Sequence, residues 1–92
     1  METITGSSGN VFEDLGFEPE EAENLRLRAQ LLVELERTLK ARVRTQAEAA
    51  QLLGVQQPRV SDIARGRVDR FSLDALVNML TKLGRHVRVE VT

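Results

Sequence analysis

The sequence predicts a small, mainly α-helical domain that ends in one β-strand. Aliphatic residues recur at spacings of three and four over most of the chain, which is the period of amphipathic helices. Two of the helical stretches are short and stop at Gly54 and Gly66, because glycine readily takes the left-handed conformation that ends a helix. Val87, Val89 and Val91 alternate with polar residues, which is typical of a strand with one apolar face.

Length and composition allow one hydrophobic core and exclude several classes of protein. The chain has 92 residues, of which 41% are hydrophobic and only 3% aromatic, so the core is aliphatic. It contains no Cys, which excludes disulfides and thiolate metal sites. No apolar run approaches the roughly 20 residues of a membrane-spanning helix, and the chain does not start like a secretory signal. We therefore expect a cytoplasmic protein with no membrane segment.

The charges are divided unevenly along the chain. Residues 1–24 contain seven of the 14 acidic residues and none of the 13 basic ones. Residues 25–92 are therefore basic, although the whole chain has a formal net charge of −1. A basic surface favours polyanions such as nucleic acid, and an acidic segment can screen that surface or meet a basic partner. Charge alone leaves nucleic-acid binding and an ordinary solvated surface as alternatives.

Four segments of different character follow from these patterns. The first is rich in Gly and Ser and is interpreted as a flexible tail. The second contains a short apolar stretch, which we expect to fold back on the body, and a long amphipathic helix over about 19–42. The third contains three shorter helices, and the fourth is the strand. The segments are residues 1–10, 11–44, 45–84 and 85–92.

The strand has no clear partner within the chain. A lone strand leaves its backbone donors and acceptors unpaired, and an exposed edge recruits another strand. Residues 2–5 are a weak candidate. The simplest partner is the same strand of a second copy, so we predict a homodimer in which residues 85–92 pair across a two-fold axis through Val87, Val89 and Val91.

Two short helices joined by a turn of about three residues form the motif of functional interest. Thr45 and Glu48 make a capping box that begins the first helix, which ends at Gly54. The second helix covers residues 57–65. This is the spacing of a helix-turn-helix, whose second helix stands clear of the body and can enter a DNA major groove about 12 Å wide. A plain structural corner between two helices is the alternative.

A close resemblance to the Cro/repressor-type helix-turn-helix family, often called XRE, is carried by residues 45–66, TQAEAAQLLGVQQPRVSDIARG, and 71–84, FSLDALVNMLTKLG. Within that family the chain is most similar to HigA-type antitoxins of toxin–antitoxin modules. The resemblance implies a lambda-repressor-like fold of about four to five helices, a homodimer and double-stranded DNA as partner. It also implies a small basic ribonuclease toxin as a second partner. Pro58 departs from the Ser or Thr of many relatives, so their base contacts do not transfer to this chain.

Position and chemistry assign roles to the polar residues of the motif. An amide can pair with adenine and a guanidinium with guanine, whereas exposed hydroxyl, amide and guanidinium groups beside a recognition helix suit phosphates. The predicted base-reading residues are Gln57, Arg59, Ser61 and Asp62, with a phosphate as the alternative contact of Arg59 and Ser61. The predicted phosphate contacts are Thr45, Gln46, Gln56, Arg65, Arg67 and Arg70; the family resemblance implies the role of Gln46. An ordinary solvated surface for the three arginines and a helix charge pair for Asp62 are the alternatives.

The sequence offers no catalytic constellation. His86 is the only His and has no acid, base or thiol partner at a useful spacing. The sequence contains neither of the glycine motifs that bind phosphates, G-x-x-x-x-G-K and G-x-G-x-x-G. We therefore expect no enzyme, no metal and no cofactor. The predicted function is transcriptional repression at an inverted-repeat operator of the chain's own promoter, as the autoregulating antitoxin of a toxin–antitoxin pair. A repressor with no toxin partner, a toxin-neutralising interaction module and a purely structural dimer are the alternatives.

Overall fold

The architecture is a set of short helices packed on one long helix. A computed structural model describes residues 10–92 of the chain. All the regular secondary structure in that range is helical, which confirms the mainly α class and the expected number of helices. In chain order the elements are α1 (Val11–Asp14), α2 (Pro19–Arg42), α3 (Gln46–Leu53), α4 (Gln57–Ala64), a 3₁₀ helix (Val68–Arg70) and α5 (Leu73–Lys82).

The amino-terminal segment folds back on α2. Asn10 begins α1, because its side-chain oxygen accepts hydrogen bonds from the backbone N–H groups of Phe12 at 2.9 Å and Glu13 at 3.3 Å. The rings of Phe12 and Phe17 then meet edge to face, with centroids 6.2 Å apart. Asn10 is only 8% exposed. Its assignment to the predicted tail was therefore wrong, since its side chain is needed as a helix cap; residues 1–9 of that tail, with the candidate strand at 2–5, lie outside the described residues.

The long helix α2 is the element on which the others pack. It begins at Pro19 and ends at Arg42, as the spacing predicts. Acidic residues in its first turn and basic residues in its last turn complement the helix dipole. It contacts α1, α4, α5 and the 3₁₀ helix. Its buried residues are Ala22, Leu25, Leu32, Leu35, Thr38 and Leu39.

One aliphatic core, with Phe71 as its single aromatic member, joins α2 to the elements from α3 to α5. Phe71 is 1% exposed and follows the 3₁₀ helix, so this short loop is anchored in the core. The other fully buried large side chains come from α2, α3, α4 and α5 and from the residue that follows α5, which ties the motif to the body. These are Leu35, Leu53, Ile63, Leu76 and Leu83.

Helix α3 is capped at both of its ends. Thr45 begins α3, and its hydroxyl accepts a hydrogen bond from the Glu48 N–H at 3.1 Å. Gly54 ends α3 with φ +69° and ψ +37°, the left-handed conformation expected of it. The Nζ of Lys82 on α5 donates to the carbonyl of Leu53 at 3.0 Å, which satisfies one of the backbone acceptors that every helix end leaves open.

The carboxyl-terminal segment is docked on α2 at its start. After Gly84, the Arg85 guanidinium donates to the Thr38 hydroxyl at 2.6 Å and to the Glu34 carboxylate at 3.3 Å. Residues 85–92 adopt no regular secondary structure, and no strand occurs within residues 10–92. The predicted strand is therefore not confirmed. The physical reason is that a strand is defined by the backbone it pairs with, and the described part of a single chain supplies none.

Candidate nucleic-acid interface

One face of α4 is buried and the opposite face is polar. Successive residues of an α-helix are about 100° apart, so the buried Val60 and Ile63 define the side of α4 that faces the core. The 3.6-residue period therefore turns Ser61, Asp62 and Arg65 away from that side. The pattern of apolar residues predicts Val60, Ile63 and Ala64 on the inward face; the structure buries the first two and leaves Ala64 exposed.

The exposed face of α4 and the start of α3 border a shallow concavity of about 500 Å³. Apart from the ring of Pro58, its lining consists of side chains that can form hydrogen bonds: amides, a hydroxyl, a carboxylate and a guanidinium. Such a mixed set of donors and acceptors matches the edges of base pairs. The lining residues are Gln46, Gln57, Pro58, Ser61, Asp62 and Arg65.

The amino-terminal end of α4 presents two glutamines. Gln56 precedes the helix in an extended conformation, and its side chain does not cap the helix. Gln57 is the first helical residue, and both glutamines are exposed. Pro58 follows in the first turn, where a residue without an N–H removes no intrahelical hydrogen bond. The structure thus places two amide groups at the exposed start of the predicted recognition helix.

Asp62 lies on the polar face of α4 and is half-buried. It forms none of the ion pairs found within residues 10–92, so the alternative interpretation as a helix charge pair has no support there. Its backbone carbonyl accepts a hydrogen bond from the Arg67 N–H at 3.0 Å. Asp62 therefore belongs to the concavity with its neighbour Ser61.

Arg59 is the predicted base-reading residue that the structure does not bring to the concavity. Its guanidinium carbon lies 4.1 Å from the centroid of the Phe71 ring. Its Nη1 donates to the carbonyl of Arg70 at 2.6 Å. Both contacts hold the side chain against the loop that follows α4, on the flank of the helix away from Ser61.

Two of the predicted phosphate contacts, Gln46 and Arg65, line the concavity, whereas the other four are outside its lining. Thr45 is exposed at the start of α3, next to Gln46. Arg67 and Arg70 lie in the loop after α4, where Arg67 faces the Asp69 carboxylate at 3.6 Å and Arg70 is exposed. The motif is therefore bordered by hydroxyl and guanidinium groups on two sides.

The predicted dimerisation residues lie at the far carboxyl end of the chain. Val87 is half-buried and packs against the core. Val89 is 61% exposed and Val91 is 91% exposed, so both present apolar surface to solvent. The three valines thus divide between a contact within the chain and an uncovered apolar pair.

The buried contacts of Arg28 were not predicted from the sequence. On α2, its Nη1 donates to the carbonyl of Phe71 at 3.2 Å and approaches that of Val68 at 3.5 Å, and its Nε is buried without a partner. The signal was present in the spacing, because Arg28 follows Leu25 by three residues and precedes Leu32 by four. A charged residue on an apolar stripe indicates a buried polar contact.

The acidic amino-terminal part of the fold is a second charged surface, separate from the concavity. At its edge the Arg26 guanidinium pairs with the Glu23 carboxylate, and this hydrogen bond lowers the pKa of Glu23 and raises the pKa of Arg26. No basic residue occurs in residues 11–24. Beside the acids, α1 and the turn after it expose Val11, Leu15 and Phe17.

The structure also bears on membranes and metals, within the described residues. None of the helices between residues 10 and 92 combines the length and apolar character needed to cross a bilayer. The same residues contain no cluster of three or more His, Asp or Glu side chains that could hold a metal ion.

Comparison with known proteins gives one family. A family model described as a helix-turn-helix domain matches residues 11–92. The match runs from α1 to the carboxyl end and includes the α3–α4 pair with its concavity. No curated protein matches the chain.

Proposed function

The chain belongs to the helix-turn-helix domain family, and from this premise we propose that it is a sequence-specific DNA-binding repressor of transcription. One observation carries the proposal: the polar concavity formed by α4 and the start of α3. Its lining combines donors and acceptors on a helix whose opposite side is held in the core. This arrangement suits a helix that enters a groove while the body stays outside.

The proposed reading head is the first half of α4. A helix of eight residues is about 12 Å long, which suits a major groove of similar width. Gln57 enters first, and its amide pairs with the two polar groups of an adenine edge. Ser61 and Asp62 meet the next base pairs. Gln46 and Arg65, at the borders of the concavity, contact the phosphates on either side.

The proposal includes a homodimer that reads an inverted repeat. The uncovered Val89 and Val91 extend from a segment whose start is fixed on α2. Pairing with the same segment of a second copy covers these valines and satisfies the backbone of both copies. Two α4 helices placed one helical turn of DNA apart, about 34–36 Å, then contact both half-sites.

The finer assignment is to the Cro/repressor type called XRE, as a HigA-type antitoxin that acts at its own promoter. It draws on the resemblance of residues 45–66 and 71–84. The location is cytoplasmic, and the activity is neither enzymatic nor dependent on a cofactor. A repressor that has no toxin partner has the same α4 surface, so only the second partner separates the two functions.

A specific observation favours the second partner. Residues 11–24 contain six acidic residues and no basic one, and α1 with the turn after it exposes three large apolar side chains, of which Leu15 is 70% exposed. An acidic surface with an apolar centre complements a basic protein with an apolar socket. We therefore propose that this surface binds and neutralises a small basic ribonuclease toxin.

The DNA-binding proposal is tested by a gel shift with DNA from upstream of the chain's own gene. We expect Gln57→Ala to weaken binding to this DNA about 5- to 150-fold, the equivalent of one lost bidentate contact of about 1–3 kcal/mol. Binding to a scrambled duplex should stay unchanged. The matched control is Asn78→Ala, which removes an exposed amide from α5. Equal binding of the upstream DNA by wild type and Gln57→Ala would contradict the proposal.

The toxin proposal is tested by co-expression with the neighbouring gene and purification of the complex. We expect Leu15→Ser to abolish co-purification, because it puts a hydroxyl at the centre of the apolar surface, and to leave the gel shift intact. Val33→Ser, at an exposed apolar position on α2, is the control. Retention of the complex by Leu15→Ser, or loss of the complex and of DNA binding together, would contradict the proposal.

A further inference from the structure

Two arginines hold the loop that follows α4 from opposite directions. From α4, Arg59 donates to the carbonyl of Arg70 at 2.6 Å. From α2, Arg28 donates to the carbonyl of Phe71 at 3.2 Å. The loop comprises residues 67–71. We call the three side chains of Arg28, Arg59 and Phe71 the loop brace.

The aromatic ring gives the brace a fixed base. Phe71 is 1% exposed and lies in the core, so its ring anchors the last residue of the loop. The Arg59 guanidinium covers this ring at 4.1 Å from its centroid. A cation above an aromatic face is attracted by the negative charge of that face, most strongly where water is excluded. Arg59 therefore joins α4 to the loop by a stacking contact as well as by a hydrogen bond.

Arg59 cannot use the same guanidinium for a base. To reach a base edge in front of Ser61 the side chain must leave both the Phe71 ring and the Arg70 carbonyl. The Arg70 carbonyl would then lose its charged hydrogen-bond donor, and the Phe71 ring would lose its contact with the guanidinium. Gln57 makes no comparable contact within the described residues and is exposed, so it can meet DNA without such a loss.

The loop carries two of the cations that follow α4. Arg67 is tied to α4 by its N–H, which donates to the Asp62 carbonyl at 3.0 Å. Arg70 follows in the 3₁₀ helix and is exposed. Arg59 donates its hydrogen bond to the backbone carbonyl of Arg70. The loop brace therefore fixes the position of the Arg70 side chain relative to α4.

We propose that Arg59 is a positioning residue and not a base-reading residue: it fixes residues 67–71 so that Arg67 and Arg70 meet phosphates while α4 reads the bases. This inference rests on the proposed DNA-binding function and corrects the role that chemistry alone suggests for Arg59. It assigns sequence preference to the Gln57 side of α4 and general affinity to the loop.

The first measurement needs no DNA. Arg59→Met keeps an unbranched side chain against the ring but removes the cation and the donor. We expect amide hydrogen exchange at Arg70 and Phe71 of the free full-length chain to become about tenfold faster, with exchange in α3 unchanged. The control is Arg37→Met, which removes an exposed guanidinium from α2. Unchanged exchange at both amides would overturn the brace.

The second measurement separates positioning from reading. The wild-type chain selects a preferred duplex from a random pool, and its affinity is compared with that for a scrambled duplex over a series of salt concentrations. We expect Arg59→Met to select the same sequence and to bind both duplexes more weakly by the same factor. The slope of log K against the logarithm of the salt concentration should become less steep by about one to two, because each lost phosphate contact removes about 0.9 from that slope.

Two results would overturn the assignment of Arg59. In the first, Arg59→Met selects sequences in which one base pair of the wild-type site is no longer specified. In the second, the slope of log K against the logarithm of the salt concentration is unchanged. If Arg59→Met does not fold, Arg59→Gln decides, because its amide keeps a donor for the Arg70 carbonyl but cannot replace a guanidinium on guanine. Wild-type sequence selection then supports positioning, and a changed or relaxed base pair contradicts it. Failure of the wild-type chain to select any sequence contradicts the proposed function, whereas the exchange measurement still tests the brace.

Discussion

At the scale of single residues, side-chain chemistry predicted which groups are polar and exposed. It did not predict which of these groups already contact other residues of the chain. Gln57 was placed by its position at the start of a helix, which the sequence marks. Arg59 was given the role of a base reader because a guanidinium suits guanine. Its contact with Phe71 joins residues 12 positions apart, and no local pattern in the sequence predicts this contact.

Gly54 is the residue on which the angle between α3 and α4 depends most directly. Its φ of +69° is disfavoured for any residue with a Cβ. A Cβ at this position would meet only the Lys82 Nζ, at 3.7 Å, which is an ordinary contact. The cost of a substitution is therefore conformational and not steric.

We expect Gly54→Ala to lower the free energy of unfolding by about 1 kcal/mol, because an L-residue must then adopt the left-handed conformation. Denaturant unfolding of the full chain measures this change. The control is Ala47→Ser, at an exposed position of α3, which should change stability by less than about 0.5 kcal/mol. Equal stability of Gly54→Ala and wild type would show that the turn does not need Gly54.

At the scale of elements, the helices could be predicted and the strand could not. Helix bounds follow from local signals: Pro19 at the start of α2, Thr45 as the cap of α3, and glycine at the ends. Ser72 likewise begins α5, because its hydroxyl accepts a hydrogen bond from the Ala75 N–H at 3.1 Å. Each signal acts within one turn of the helix it marks. Strand pairing is a non-local contact between two backbones, so the sequence of residues 85–92 alone does not determine it. Alternation of valines predicts the apolar face of a strand but not the backbone that completes it.

The carboxyl-terminal segment is the element through which we expect two copies to join. Val89→Asp places a charge in the proposed contact and should convert the dimer to a monomer at micromolar concentration, while the helical content stays the same. Thr92→Asp adds the same charge at the last residue and is the control. Sedimentation equilibrium measures the mass. A dimer that persists in Val89→Asp would place the interface elsewhere on the molecule.

At the scale of the whole molecule, opposite charges are assigned to different ends of the fold. Six of the 14 acidic residues lie in residues 11–24, which contain no basic residue, whereas all 13 basic residues follow. The sequence predicted this division but not its geometry, because the folding of α1 back on α2 sets where the acids stand. One small fold can thus offer an acidic apolar surface and a polar recognition helix without overlap of the two.

The central claim is that the polar face of α4 meets the bases of DNA. The most direct test is a nuclear magnetic resonance titration of the full chain with duplex DNA from upstream of its own gene, followed by the side-chain amide signals of Gln46 and Gln57 and the backbone signals of α4. We expect the largest shifts at Gln57 and Ser61, with little change at Asn78 on α5. Saturation with DNA that leaves Gln57 and Ser61 unshifted while α1 or α5 responds would contradict the claim.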